Sequence, residues 1–220
     1  MLGIHYMLWP PNTSAYPSFL NFWTYTVHTP IQGKPELVEK YERKARALGL
    51  DAVKTFEEGE VHPKSSSVNR RIRRRLIQSD PVYAAMVEAM DAAVGRILDA
   101  LDDKGELDNT IVVFTSDNGG LATSEGSPTC NAPLSEGKGW MYEGGTREPL
   151  LVRWPGVTAA NSVCGEPVIS TDFYPTLLEM IGASPRPEQH CDGLSLTPLL
   201  NGGGMLDREA IFWHYPHYGN

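Results

Sequence analysis

The sequence has 220 residues, of which 41% are hydrophobic and 21% are charged, the composition of a folded globular protein. Its 27 acidic residues outnumber its 19 basic residues, and the resulting net charge of −8 argues against a general nucleic-acid-binding protein. No apolar run approaches the ~18 residues that a membrane-spanning helix requires. The apolar start, MLGIHYMLWPPN, is short, lacks a basic flank and ends in two prolines, so it does not predict a signal peptide.

The first third of the chain predicts one strand, one helix and a long loop. Residues 17–25 are rich in aromatic side chains and predict a buried strand, with His28 just beyond its end. A proline followed by acidic residues predicts a helix over residues 36–48. Residues 51–70 are polar and irregular, which indicates a surface loop. The arginine run at residues 70–75 favours a solvated helix or loop segment over a binding site for an anionic polymer.

The rest of the chain predicts alternating helices and strands. Asp80 and the proline after it begin a helix at residues 81–103, whose apolar side chains recur at helical spacing. The remaining predicted elements are two strands, a helix and a last strand, at residues 110–115, 150–154, 170–180 and 210–215. A helix that feeds a strand is typical of the α/β class.

Residues with metal-binding and anion-binding chemistry follow two of the predicted strands. Asp117 and Asn118 place a carboxylate and an amide oxygen side by side, which suits a hard cation. Lys138 lies between two glycines, where the backbone can approach another group closely. Ligand sites gather at the carboxyl ends of strands in α/β sheets, so we expect His28, Asp117 and Lys138 at one rim. Each residue alone also has a structural alternative: a structural histidine, a glycine-rich turn or a solvated lysine.

Taken together and in order, several segments resemble the sulfatase family of the alkaline-phosphatase-like superfamily. They are TVHTP at 26–30, FTSDNGG at 114–120, EGKGWMYEGGTREP at 136–149, STDFYPTLL at 170–178 and DGLSLTPLL at 192–200. The resemblance covers residues 17–220. It implies an α/β fold, a three-layer sandwich with a mixed, mostly parallel central sheet, of which this chain holds only a part.

The resemblance implies hydrolysis of sulfate esters, with sulfated small molecules or glycans as substrates. Asp117 and Asn118 match the family's metal ligands, and their oxygen donors favour calcium over magnesium. His28 and Lys138 match the pair that grips the ester and its leaving oxygen, with His28 as the general acid. A phosphatase or phosphotransferase of the same superfamily is one alternative, and a non-catalytic metal- or glycan-binding remnant is another. Family resemblance also implies a periplasmic or extracellular location.

The family's nucleophile is missing from this sequence. Sulfatases attack sulfur with a formylglycine made from the first residue of a Cys/Ser-x-Pro/Ala-x-Arg motif, and Cys130, Cys164 and Cys191 fit no such motif. We therefore expect a fragment that does not hydrolyse sulfate esters alone. Its expected parts are an unassigned segment, the carboxyl-side part of the catalytic domain and the start of a truncated antiparallel subdomain, at residues 1–16, 17–205 and 206–220. A disulfide between Cys164 and Cys191 is a further hypothesis.

Overall fold

The structure is a computed structural model that describes residues 18–61 and 71–215. The chain divides into two compact units. The first contains the described residues up to Ala100 together with Asn118–Arg147, and the second contains Leu101–Asp117 with the described residues from Glu148 onward. The unassigned segment at 1–16 lies outside the described residues, and the domain boundaries given above stay predictions.

The first unit is built from two long helices, a hairpin and a long irregular loop. Helix α1 spans Pro35–Ala47 and helix α2 begins at Pro81 and ends at Asp103, beyond the unit. Strand β1, Phe56–Val61, pairs antiparallel with strand β2, Arg71–Arg75, so that Phe56 lies opposite Arg75. The loop of residues 118–147 contains one short helix, α3, at Glu143–Thr146. Both predicted helices are confirmed.

Helix α2 begins and ends as its sequence predicts. The Oδ1 atom of Asp80 accepts hydrogen bonds from the backbone N–H groups of Val82 and Tyr83, at 2.9 and 3.0 Å. These contacts satisfy two of the four amides that a helix leaves unpaired at its start. The helix ends before Gly105, whose φ of +69° is easy for glycine and lets Glu106 donate back to Leu101 at 2.9 Å.

The predicted strand at residues 17–25 is wrong for all of its described residues. Residues 18–25 form neither strand nor helix, and Phe19 and Trp23 are 57% and 60% exposed. Aromatic side chains favour strands only where a neighbouring strand and a packed face receive them. No described strand pairs with this segment.

The predicted loop at residues 51–70 and the predicted helix or loop at the arginine run are also corrected, because the described parts of both contain the β1–β2 hairpin. The arginines suit a strand because one face packs on an aromatic ring. The guanidinium groups of Arg73 and Arg75 lie 3.7 and 4.6 Å from the centre of the Phe56 ring. Ile72, on the other face, is fully buried. Alternation of faces, not charge, decides the structure of this segment.

The second unit contains a two-stranded sheet and short helices. Strand β3, Val112–Thr115, pairs antiparallel with strand β4, Leu150–Arg153, so two predicted strands are confirmed. A 3-10 turn at residues 170–172 leads into helix α4, Phe173–Met180, and helix α5 spans Thr197–Leu200. The predicted strand at 210–215 is wrong, because these residues have no strand partner in the described chain. The mostly parallel sheet stays a prediction, since both described strand pairs are antiparallel.

A buried carboxylate organises the second unit. Asp172 is completely buried and accepts hydrogen bonds from the backbone N–H groups of Ile169 and Leu194, both at 2.9 Å. Both of its oxygens also accept from the guanidinium of Arg208, one of them at 3.0 Å. Asp172 therefore fixes the start of α4 to two later segments of the chain.

No helix among the described residues is long and apolar enough to cross a membrane. The hypothesis of a disulfide between Cys164 and Cys191 is wrong, because both are free, exposed thiols. Cys130 is also free, but it is buried.

Candidate active site

His28 and Lys138 lie in direct contact, although 110 residues separate them in the sequence. The Nζ atom of Lys138 is 3.0 Å from Nε2 of His28. His28 follows a turn closed by its own backbone N–H, which donates to the carbonyl of Tyr25 at 2.8 Å. The first unit thus brings together the two residues that were predicted to grip an ester.

The contacts of the His28 ring determine which nitrogen carries the proton. Nδ1 lies 2.9 Å from the backbone carbonyl of Thr29, which can only accept, so Nδ1 is the donor. A charged Lys138 can only donate, so Nε2 accepts from it in the neutral ring. Nε2 is therefore the nitrogen that can take up and release a proton toward a bound group.

The loop that carries Lys138 is fixed by the side chain of Asn131. Its Nδ2 atom donates to the carbonyls of Gly120 and Glu136, both at 2.8 Å, and its Oδ1 atom accepts from the N–H of Gly120 at 3.1 Å. The backbone N–H of Lys138 also donates to Gly120, at 3.2 Å. These bonds hold the segment after Asn118 against the segment before Lys138.

The glycine before Lys138 is required by this close approach. A Cβ atom at Gly137 would collide with the carbonyl oxygen of Gly120 and with the Asn131 side chain. The sequence therefore predicted correctly that the backbone approaches something here, and the structure identifies it as the loop that begins at Asn118. Asn131 itself was missed, since it carried no signal beyond its position in a mismatched cysteine motif.

A second loop contact, also missed from the sequence, lies beside His28. The hydroxyl of Thr29 donates to the Glu125 carboxylate at 2.8 Å, across 96 residues. Because Thr29 also supplies the carbonyl that contacts Nδ1 of His28, this bond helps to fix the ring. The sequence shows a threonine next to the candidate general acid, but it does not predict that this threonine contacts Glu125.

The candidate metal ligands lie on either side of the boundary between the two units. Asn118 opens the long loop of the first unit, and Asp117 belongs to the second. In the second unit, burial and secondly the charge of Asp117 raise the pKa of Glu148 to about 7. The Oε1 atom of Glu148 is buried and has no hydrogen-bond partner among the described residues. The placement of Asp117 at the same rim as His28 and Lys138 stays a prediction.

The chemistry of these donors fits a hard cation, although the set is incomplete. A carboxylate, an amide oxygen and a second carboxylate nearby are oxygen ligands of the kind that calcium binds, usually six to eight at a time. No group of three or more His, Cys, Asp or Glu side chains among the described residues is arranged to hold a metal. Asp117 and Asn118 would therefore supply part of a coordination shell.

The cysteines do not fit the formylglycine nucleophile. Cys130 is buried, and its Sγ atom accepts the backbone N–H of Ala132 at 3.4 Å. Cys164 and Cys191 are exposed and lie in the second unit, away from any matching motif. None of the three lies in the Cys/Ser-x-Pro/Ala-x-Arg motif that formylglycine formation requires.

Comparisons with known proteins identify the family of this chain. The sulfatase family model matches residues 8–183. A sulfatase of Formosa agariphila is 44% identical over 149 residues, which cover 62% of this chain and 26% of the relative. Human arylsulfatase A is 44% identical over 129 residues, which cover 59% of this chain and 25% of the relative. The chain spans about a quarter of the length of these relatives.

Solved structures give the same result. The crystal structure of Ps i-CgsB aligns with a TM-score of 0.57 and 32% identity, over 80% of this chain and 31% of that protein. The same protein in complex with k-i-k-neocarrahexaose aligns equally well, over 79% of this chain and 31% of that one. The matched segments include the candidate site residues, since the family model spans His28 to Lys138. This chain belongs to the sulfatase family.

Proposed function

We propose that this chain supplies the carboxyl-side half of the active site of an enzyme that hydrolyses sulfate esters. The observation that carries the proposal is the 3.0 Å contact between Lys138 Nζ and His28 Nε2. The leaving oxygen of a sulfate ester gains negative charge as its bond to sulfur breaks. A histidine that can donate a proton and a lysine that carries positive charge would both stabilise that oxygen.

In the proposed mechanism, Lys138 provides positive charge and His28 provides the proton. The ammonium group opposes the charge that develops on the leaving oxygen. Thr29 holds the Nδ1 proton of the ring through its carbonyl. The protonated form of His28 would therefore give the leaving oxygen its second proton, the one on Nε2, the side that faces Lys138. Nε2 would then regain a proton from solvent before the next turnover, while Lys138 keeps its charge.

Asp117 and Asn118 would hold the cation of the complete site, and we propose calcium as that cation. When bound, the ion would screen the charge of the sulfate group. The ion would also screen the repulsion between the carboxylates of Asp117 and Glu148, which after burial is the second cause of the raised pKa of Glu148.

The nucleophile is not supplied by this chain, because none of its three cysteines fits formylglycine formation. The chain alone should therefore not hydrolyse sulfate esters, since lysine and histidine do not replace covalent catalysis. The relatives named above are sulfatases, so the alternative of a phosphatase is not favoured.

The substrate we propose for the complete enzyme is a sulfated saccharide. A solved neighbour binds a neocarrahexaose, and another, with a TM-score of 0.50 and 31% identity over 63% of this chain, binds D-glucosamine-2-N,6-O-disulfate. The three-layer sandwich and the periplasmic or extracellular location belong to the same proposal, since they rest on the family alone.

A titration of the histidine-labelled chain with 4-nitrophenyl sulfate tests the proposed role of the pair. We expect a saturable nitrogen shift at His28 Nε2, at millimolar ester, that is lost in Lys138→Met. Lys104→Met, which removes an exposed lysine elsewhere, should leave the shift unchanged. Absence of any shift at His28 would contradict the proposal. Sulfate release that depends on Lys138 would support the function but contradict the missing nucleophile.

A further inference from the structure

We propose that a cavity in the first unit binds a neutral, polyhydroxylated ligand of monosaccharide size, with the carboxylate of Glu136 as its main hydrogen-bond acceptor. The cavity has a volume of about 300 Å³. Its walls include Arg74, Leu76, Ala122, Cys130, Leu134 and Glu136. Neither His28 nor Lys138 lines it, so it is separate from the candidate active site.

The carboxylate of Glu136 is only half satisfied by the protein. Its Oε1 atom accepts from Nε and Nη2 of Arg74, at 2.7 and 2.6 Å. Its Oε2 atom is buried and has no hydrogen-bond partner among the described residues. The side chain is only 10% exposed, so solvent does not readily compensate this oxygen. A buried acceptor of this kind is costly unless a donor occupies the space next to it.

The charges around the cavity favour a neutral donor over an ion. Two carboxylates, of Glu57 and Glu136, and two guanidinium groups, of Arg74 and Arg75, line it, so the formal charges balance. The donors of Arg75 are already engaged by the Ser127 carbonyl at 2.5 Å and the Ser79 hydroxyl at 2.6 Å.

The Arg74 guanidinium is likewise committed, because it pairs with Glu60 at 2.8 Å as well as with Glu136. An anion would therefore find no unpaired cation among the described residues that line the cavity, and an ammonium group would lie beside the Arg74 charge. A hydroxyl group fits, since it can donate to Oε2 without bringing a charge.

The remaining wall suits the carbon face of a sugar ring. Leu76, Ala122 and Leu134 supply apolar surface to the lining of the cavity. Ala132 and Ser135 also line the cavity and are exposed, so it opens to solvent at this point. A volume of this size lies at the lower end of small-molecule sites, which matches one monosaccharide unit.

A ligand bound in this cavity would change the environment of the loop that carries Lys138. Glu136 lies two residues before Lys138, and its carbonyl is held by Asn131, which also lines the cavity. The proposal does not depend on sulfate chemistry, because the ligand it names is uncharged. Its failure would leave the role of His28 and Lys138 untouched.

Backbone amide spectra of the full chain, titrated with methyl β-D-galactopyranoside, test the proposal. We expect saturable shifts at Ala122, Asn131 and Glu136 at millimolar galactoside. Glu136→Gln should bind at least about tenfold more weakly, as expected for a lost hydrogen bond to a charged acceptor. Glu143→Gln is the matched control, since its exposed carboxylate also pairs with an arginine, at 3.0 Å.

A second variant keeps the test valid if Glu136→Gln does not fold. Ala132→Trp places a large side chain at the open side of the cavity without removing the ion pair, and it should abolish the shifts. The proposal is overturned if the galactoside produces no saturable shift at these amides at concentrations up to about 100 mM, because a site with a millimolar Kd would be almost full at that concentration. It is also overturned if both variants bind normally, or if sodium sulfate shifts the same amides and the galactoside does not.

Discussion

Replacing Asp172 with alanine should remove much of the stability of the second unit. The substitution takes the carboxylate away from Arg208, whose side chain is only 11% exposed, and leaves its charge without its partner. Breaking a buried ion pair in this way costs about 3–5 kcal/mol. The N–H groups of Ile169 and Leu194 lose their acceptor as well, and each loss costs about 1–3 kcal/mol.

These losses overlap, because water can enter the space that the carboxylate vacates. We therefore expect the free energy of unfolding to fall by about 4–5 kcal/mol, in the range that marks a lost buried network. With a urea dependence of about 2 kcal/mol per molar, the midpoint should fall by about 2 M. Amide exchange should accelerate first at Ile169 and Leu194.

Two further variants make the reasoning refutable. Asp207→Ala removes an exposed carboxylate next to Arg208 and should change stability by less than about 0.5 kcal/mol. The double variant Asp172→Ala/Arg208→Ala should be more stable than the sum of the single losses implies, because neither charge is then left alone. A loss below about 1.5 kcal/mol for Asp172→Ala, or additive single variants, would refute the central role of this carboxylate.

Three other predictions concern the candidate site. Burial and, secondly, the charge of Asp117 raise the pKa of Glu148 to about 7 from its usual 4.5, so folding takes up a proton. The free energy of unfolding should therefore decline by about 1–2 kcal/mol from pH 4.5 to pH 7, a figure reduced for partial exposure, and Glu148→Gln should remove this slope in urea titrations. Asn131→Ala should lower the free energy of unfolding by about 2–3 kcal/mol and speed amide exchange at Gly120, because three hydrogen bonds are lost. Asn21→Ala, at an exposed position, should change neither quantity. Calorimetry with calcium should show no saturable site at micromolar concentrations, because calcium usually binds about six to eight oxygen ligands and Asp117 and Asn118 supply only two of them. A tight calcium site that is lost in Asp117→Ala would mean that other residues of the chain also bind the ion.

The elements that the sequence predicted correctly are those whose signals are local. Helix α2 has a cap at Asp80, a proline at its first position and a glycine after its end, and each acts within a few residues. Strands β3 and β4 are short apolar runs bounded by turn formers, and they pair with each other. Local signals of this kind survive whatever surrounds them.

The wrong predictions concern segments whose structure depends on a partner. Residues 18–25 have the composition of a buried strand, but no described strand pairs with them, and Phe19, Trp23 and Tyr25 are exposed. For the arginine run, a loop or helix was predicted and a strand is found. Arg73 and Arg75 stack on the ring of Phe56, and the sequence alone does not predict that this ring lies near them. The composition of a segment indicates which surfaces it could pack against, but it does not show whether such a surface lies next to the segment in the fold.

The candidate site shows the same division between local and distant information. The types of its residues could be predicted, since histidine, lysine, a carboxylate and an amide have recognisable chemistry beside glycines. The bonds that hold them could not. Asn131 joins backbone groups at residues 120 and 136, and Thr29 reaches Glu125 across 96 residues, so neither leaves a local pattern.

The segment Asp117-Asn118-Gly119-Gly120 contains glycines that packing requires and an acid that we propose as a metal ligand. The glycines serve packing: a Cβ atom at Gly119 would collide with the carbonyl oxygen of Gly144, and one at Gly120 would lie 2.8 Å from the Asn131 side chain. Burial and, secondly, the charge of Asp117 raise the pKa of Glu148, so the acid lies near a second carboxylate at a cost to stability. Charges kept near each other at such a cost are typical of functional sites. A turn alone would need the glycines and not the acid, so the acid is the residue that points to a cation.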